Sequence, residues 1–512
     1  MTGSWRSCAG VVIRDHVPAA LRDWWVRAGL CPGQDLFTLF TEQVRAHPGR
    51  DAVIDEAGVL SYAELDTAAR RAAAVLADAG LGPRDIVGIQ LANGRDAVVA
   101  ELAVLAIGAV ALPVPDGGRA TGRLLDRARA GMVISADPGG TRAALTPADL
   151  RGPDGWRPTP VDSRLPARIM VSSGSEHEPR MVAYSHDAIG GGRANYLRAL
   201  HDSTGPMRNL VLVPLSSSYG SCGVPVTIAA LGGTLVLGRA FTPDDALRMM
   251  TEYRPTHVFG VPTMLHRMAR RPPRPGEDLG GLRAIVSSAD ALPEATAHAC
   301  RARFGRPVIT IYGSSDGVNC HTAVPGIGTG RPDPAVAAIR IRAEDGSDCP
   351  PGVAGEICAL GPMTPMGYVN GPELDALCRL PSGEVRTGDR GLLDERGNLH
   401  VVGRLKQIVI RGGHNISPAE VECAVTAHPA VAEVVCVPVP DAELGERLCA
   451  CVVQEPRTQP LTLGTLARFL ERERGLERRK LPERLLLLPE LPLGATGKVC
   501  RRTLTELAAG NP

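Results

Sequence analysis

The sequence predicts an α/β fold: a large N-terminal domain of mixed, mainly parallel sheets flanked by helices, plus a small mobile α+β C-terminal domain. Three observations carry this reading. Short runs of β-branched and aliphatic residues, bounded by Gly, Pro or Asp, recur up to about residue 373. Helical patterns lie between most of them, and strands alternating with helices build parallel sheets covered on both faces. Beyond Glu373 the texture changes, and glycines and charges crowd residues 382–413.

Taken in order, a helix is predicted over 62–79 and a strand over 86–91. Residues 98–115 are largely apolar and close to the length of a membrane span. Glu101, Gly108 and Pro113 interrupt them, so the expectation is a buried helix running into a buried strand. Strands follow over 168–172, 209–215, 234–237, 257–261, 283–286 and 308–312, with helices over 243–253 and 294–304. A flexible boundary near 403–406 divides a large unit, 1–403, from a small one, 407–512, through a hinge at 404–406. The small unit reads as a βαβ-like piece over 420–455 and a last helix over about 463–474.

The 512 residues exceed one simple core, and roughly 100–200 residues per domain implies two to four units. A net charge of +1 gives no electrostatic argument for nucleic acid or an anionic membrane, and 3% aromatics argues against base stacking. Thirteen scattered cysteines, with only Cys449 and Cys451 close together, suit a reducing cytoplasm better than a disulfide framework or a zinc site. The N-terminus has an early arginine and no apolar segment, so it does not read as a signal peptide.

The stretch Ile169-Met-Val-Ser172-Ser173-Gly174-Ser175-Glu176-His177-Glu-Pro-Arg180 runs from an apolar strand into a Ser/Gly-rich loop and a basic residue. Such a loop can turn several N–H groups and hydroxyls onto one anion while the cation offsets phosphate charge. Ile311-Tyr312-Gly313-Ser-Ser315-Asp316-Gly ends a strand in a turn with a carboxylate, the type of group that holds Mg²⁺ beside phosphates. Three later stretches follow: Arg386-Thr-Gly-Asp389 with Gly403-Arg404-Leu-Lys406, then Arg411-Gly412-Gly413-His-Asn-Ile-Ser-Pro-Ala-Glu420, then Pro492-Leu-Gly-Ala-Thr-Gly-Lys498. By themselves a lone Thr-Gly-Asp is usually just a turn and a lysine in such a loop usually a solvated surface lysine.

In this order and spacing, over residues 35 to 502, the stretches resemble the motifs of the AMP-forming adenylate-forming enzymes: acyl-CoA synthetases, stand-alone adenylation domains and luciferases. The resemblance implies that Ser172, Ser173, Gly174 and Ser175 cradle the ATP phosphates with Arg180 in the family's lysine position. It implies that Ser288, Ala289 and Asp290 line the adenine site, that Tyr312 stacks near adenine beside Gly313 and Ser315, and that Asp316 binds Mg²⁺. Asp389 would hold the ribose hydroxyls with support from Arg404, and Lys406 would be the hinge residue. Gly412 and Gly413 would border a tunnel for CoA. Lys498 would bridge the carboxylate and the α-phosphate. The implied chemistry is activation of a small-molecule carboxylic acid with ATP and transfer to CoA.

The chain departs from the family pattern where Glu176, His177, Arg180 and Met181 replace a hydroxyl residue, a glycine, a lysine and a glycine, and where Asp316 replaces a glutamate. Arginine is a wider fork than an ammonium and not interchangeable with it. Pro214-Leu-Ser-Ser217-Ser-Tyr219-Gly220 has serines where the family often has an aromatic–His pair gating the acid pocket, so a more polar or more open pocket is expected. Asn319, Cys320 and His321 reach that pocket or pack beside it. Three alternatives stay open: loading of a carrier protein, ATP-dependent diazotisation of an aryl amine with nitrite, and a non-catalytic binding protein.

Overall fold

The computed structural model describes residues 3–115, 119–137, 143–158, 160–172, 179–201, 205–405, 409–411, 414–456, 458–492 and 499–510. A seven-stranded sheet has the order Gly367–Tyr368, Met181–Ser185, Pro166–Val171, Val110–Pro113, Ile86–Gln90, Met132–Ser135 and Ala144–Leu145. From Pro166–Val171 onward its neighbours are parallel; Met181–Ser185 pairs antiparallel on both sides. An eight-stranded sheet runs Asn319–Thr322, Val308–Gly313, Ala284–Ser287, His257–Gly260, Arg208–Val211, Thr234–Leu237, Asp51–Asp55 and Gly58–Ser61. Only its two edge pairings are antiparallel. The fully buried strands Pro166–Val171 and Val110–Pro113 fit sheets covered on both faces. One continuous core joins side chains of both sheets to the helices Leu36–Ala46, Tyr62–Asp78 and Arg95–Ala106.

Local chemistry sets the element ends. Ser61 and Glu64 form a capping box that starts the helix Tyr62–Asp78. Thr242 caps the helix Pro243–Tyr253, whose first residue is a proline that needs no intrahelical N–H partner. Gly305, at φ +62°, closes the helix Glu294–Phe304. The apolar stretch over 98–115 is indeed a buried helix, Arg95–Ala106, running into the buried strand Val110–Pro113. Among the described residues no helix is long and apolar enough to cross a membrane.

A third sheet of four strands, Ala338–Arg342, Gly355–Leu360, Val385–Leu393 and Leu399–Arg404, is wholly antiparallel. Beyond it, the strands His414–Ile416, Val409–Arg411, Gly445–Gln454, Val431–Asp441 and Arg484–Leu488 form a further sheet with a core of its own. The βαβ-like expectation for 420–455 is corrected here. The helix Pro418–Thr426 precedes two antiparallel strands, Val431–Asp441 and Gly445–Gln454, whose turn is too short for a parallel crossover. Nor is the helix Leu463–Arg472 the last, because Arg501–Ala509 forms another, burying Leu504 and Ala508 against the hairpin. Ser417 donates to the carbonyl of Val402 at 3.0 Å, and Arg270 pairs with Glu455 at 2.6 Å, so the last sheet is tied to the rest at both contacts.

Candidate active site

The carboxyl ends of the parallel strands and the third sheet meet around three turns. In the first, the Ser172 N–H donates to the Arg180 carbonyl at 2.8 Å, and the Arg180 N–H donates to Ser172 Oγ at 3.1 Å. This pair closes the base of the Ser/Gly loop. Ser173, Gly174, Ser175, Glu176 and His177 lie outside the described residues.

The second turn follows the strand Val308–Gly313. Gly317 stands at φ +90°, and a Cβ there would lie 2.4 Å from Pro365 Cδ, so only glycine suits this turn. The turn sets Asp316 beneath Tyr368, whose hydroxyl donates to Asp316 Oδ1 at 2.5 Å. The Ser315 carbonyl accepts from the Tyr184 hydroxyl at 2.8 Å. Arg180 joins this group, with Nη1 3.9 Å from Cys378 Sγ. Burial opposes its charge, but Tyr368, Cys378 and Asp316 favour it, and its pKa is raised on balance. The Ser/Gly loop's basic residue and the candidate metal ligand are therefore neighbours, although 136 positions separate Arg180 from Asp316. Asp316 Oδ2 lies outside the Tyr368 hydrogen bond. Among the described residues no three His, Cys, Asp or Glu side chains could hold a metal by themselves. A magnesium ion held by one carboxylate and phosphate oxygens fits that donor set.

The third turn carries Thr387, Gly388 and Asp389. Asp389 and Arg404 stand directly opposite in the antiparallel ladder, so their side chains meet, with Nε 3.1 Å from Oδ1. Tyr312 donates its hydroxyl to Asp389 Oδ2 at 2.7 Å, and the Asp389 N–H donates to Thr387 Oγ at 3.0 Å. Burial raises the Asp389 pKa against the opposing pull of Arg404 and Tyr312. Burial likewise pushes the Tyr312 phenol well up. A half-dry carboxylate between a tyrosine and an arginine, at the rim of the strand Val308–Gly313, can accept hydroxyl donors from a polar ligand.

Ser288 is buried, with Oγ donating to the Ile311 carbonyl at 3.4 Å, while Asp290 is exposed and lies in the electrostatic field of Arg501 and Glu422. Ala289 has φ +81°, a left-handed conformation that costs a non-glycine residue energy and often marks a functional turn. Gly313 pairs with Asn319 in the hairpin that follows. Cys320 packs in a core with Val318 and Ile339, and Asn319 is buried. Lys406, Gly412, Gly413 and Lys498 lie outside the described residues.

The serine segment is occupied by an arginine that the sequence did not single out. Arg193 Nη1 donates to Ser221 Oγ at 2.8 Å and to the Ser218 carbonyl at 3.2 Å, and its guanidinium stacks 4.9 Å over the Tyr184 ring. Ser217 instead stabilises its own turn through Pro214 and Gly220. Tyr184, Cys378 and Arg193 all join the cluster without belonging to a motif. The available signal was the rarity of aromatic residues, which makes two tyrosines facing one turn informative.

Residues 40–369 match the family model described as AMP-binding enzyme, and residues 420–498 match the AMP-binding enzyme C-terminal domain. The chain belongs to the AMP-binding enzyme family. It is 29% identical to 2-hydroxy-7-methoxy-5-methyl-1-naphthoate–CoA ligase of Streptomyces carzinostaticus, over 94% of this chain and 95% of that protein. It is 28% identical to the salicyl-AMP ligase/salicyl-S-ArCP synthetase of Mycobacterium tuberculosis, over 94% and 92%. Among solved structures it is similar to the o-succinylbenzoate CoA synthetase of Bacillus subtilis in complex with ATP and magnesium ion. That match has a TM-score of 0.80 and 26% identity, and covers 91% of this chain and 98% of the other. The chain is thus an ATP-dependent, AMP-forming ligase of the adenylate-forming superfamily.

Proposed function

We propose that this enzyme activates a small-molecule carboxylic acid as its acyl adenylate with ATP and Mg²⁺, and then transfers the acyl group to CoA. The observation that carries the reading is that Asp316 lies within electrostatic reach both of Asp389, in the Tyr312–Asp389–Arg404 chain, and of Arg180. One end offers a carboxylate for ribose hydroxyls. The other offers a cation and a carboxylate for phosphates and their metal.

A carboxylate is a poor electrophile, and attack of its oxygen on the α-phosphate expels pyrophosphate and leaves a mixed anhydride. Both reacting groups are anionic, so the site must offset their repulsion. Arg180 supplies a fixed cation, and Lys498 supplies a second from the C-terminal unit. Asp316 would hold Mg²⁺, which would supply charge neutralisation on the phosphates. A thiol then attacks the activated carbonyl and AMP leaves. The two steps need different neighbours at one site, which motivates rotation of residues 407–512 about a hinge at 404–406 and use of Gly412 and Gly413 in the second state. CoA is the acceptor named for the naphthoate relative. The salicyl relative, a salicyl-S-ArCP synthetase, favours a carrier-protein thiol as the second reading.

The test is pyrophosphate release with Mg-ATP over a panel of aliphatic and aromatic acids, each with and without CoA. Acid-dependent release completed by a CoA thioester is the expected result. Release without thioester formation favours the carrier reading, and no release with any acid removes carboxylate activation. Lys498→Ala should suppress adenylate formation while a preformed adenylate still reacts with thiol.

A further inference from the structure

Two arginines beside the candidate active site are buried without a carboxylate. Arg379, 7% exposed, follows the helix Pro372–Cys378, and none of its three guanidinium nitrogens has a hydrogen-bond partner. Arg193, 3% exposed, makes hydrogen bonds only to neutral oxygens, and its Nε has no partner. Both act on Tyr184: Arg193 stacks on its ring, and Arg379 lies within electrostatic reach of its phenol. The carboxylate of this network, Asp316, already accepts from Tyr368 and faces Arg180. Burying a guanidinium without a compensating anion is strongly unfavourable, and two around one tyrosine are more so. A bound anion would compensate such buried positive charge.

The size of that anion can be argued. The nitrogens of Arg379 are closed off from solvent, which suits a compact ion better than an extended polyphosphate. A guanidinium fork matches a planar oxyanion with two oxygens. The position also lies between the serine segment that holds Arg193 and the turn of Ser315 and Asp316. We infer that Arg193, stacked on Tyr184, and Arg379, within electrostatic reach of the same phenol, bind a compact planar oxyanion of the carboxylate or nitrite type. The further identification of this ion with the acid substrate rests on the proposed function; the anion site itself does not.

The full-length chain is titrated with acetate, benzoate, nitrite and pyrophosphate, each by calorimetry and by thermal unfolding, and separately with Mg-ATP. The parent is expected to bind carboxylates or nitrite, and the preferred arm tells which source supplies the ion. Arg379→Met is expected to unfold at the parent's temperature or above it without ligand, because an uncompensated charge is removed, and to lose at least tenfold in oxyanion affinity. A purely structural arginine would do the reverse, lowering the unfolding temperature and leaving oxyanion affinity unchanged. Arg193→Lys, which keeps the charge but breaks the fork, is expected to lose at least tenfold as well and decides the matter if Arg379→Met does not fold. Unchanged oxyanion affinity in both variants, binding of pyrophosphate alone, or no anion binding by the parent would each overturn the inference. Failure of the parent to bind Mg-ATP would instead remove the proposed function, while the oxyanion titrations would still decide this site.

Discussion

Asp389 concentrates the electrostatics of the candidate nucleotide site in one side chain, 5% exposed and shared between Tyr312 and Arg404. Asp389→Asn keeps the shape and removes the charge. ATP affinity is expected to fall at least tenfold, about 1.4 kcal/mol, in calorimetric titration, and an unchanged Kd would take Asp389 out of the nucleotide site. His186 makes a pH prediction at the same scale. It is fully buried, its Nδ1 accepts the Leu36 N–H at 3.1 Å, and burial lowers its pKa from 6.5 to about 4. Between those pH values the unfolded chain binds a proton that the folded chain does not. Stability therefore falls as pH drops through that window, by about 3 kcal/mol in total. His186→Asn, which keeps an acceptor for Leu36, should flatten that part of the profile in chemical denaturation at pH 7 and pH 4.5. Equal losses in parent and variant would show that His186 is not the group responsible.

At the scale of the element, function follows from how strands end. The strand Val308–Gly313 delivers Tyr312 to Asp389 and then turns at Gly317 to set Asp316 under Tyr368. Gly317→Ala forces a side chain into the left-handed region and brings a Cβ within 2.8 Å of the Met363 carbonyl. The expected cost is about 1–3 kcal/mol, read from the urea midpoint, together with a higher Mg²⁺ requirement for turnover. A parent-like midpoint would mean that the turn relaxes freely. The antiparallel register that opposes Asp389 and Arg404 makes a sequence separation of fifteen positions into a direct contact.

Across the whole molecule, a buried ion pair joins the first sheet to the serine segment. Arg168, 1% exposed, pairs with Glu101 of the helix Arg95–Ala106 and donates through Nη2 to the Leu215 carbonyl at 2.6 Å. This explains the acidic residue inside an apolar helix. Glu101→Ala leaves a buried guanidinium unpaired and should cost about 3–5 kcal/mol in equilibrium unfolding. Replacing both partners with methionine should recover much of that loss. If the double variant is as unstable as the single one, packing rather than charge governs the site.

The sequence by itself determined the strand–helix alternation, the family and the order of its motifs, because these depend on local pattern and spacing. The helix Glu294–Phe304 begins and ends where periodicity and a closing glycine require. It offered Arg180, Asp316, Tyr312, Asp389 and Arg404 as one candidate group; in the fold Asp389 meets Tyr312 and Arg404, and Asp316 lies within electrostatic reach of Asp389 and Arg180. Tertiary structure alone decided what covers the antiparallel hairpin of residues 431–454, since the side chains packed on it come from the separate helices Pro418–Thr426 and Arg501–Ala509. It alone decided the partners of the serines and the burial of Arg193 and Arg379 around Tyr184. Charge carries no periodicity along a chain, so whether an arginine is solvated or buried unpaired is fixed only when distant elements close around it.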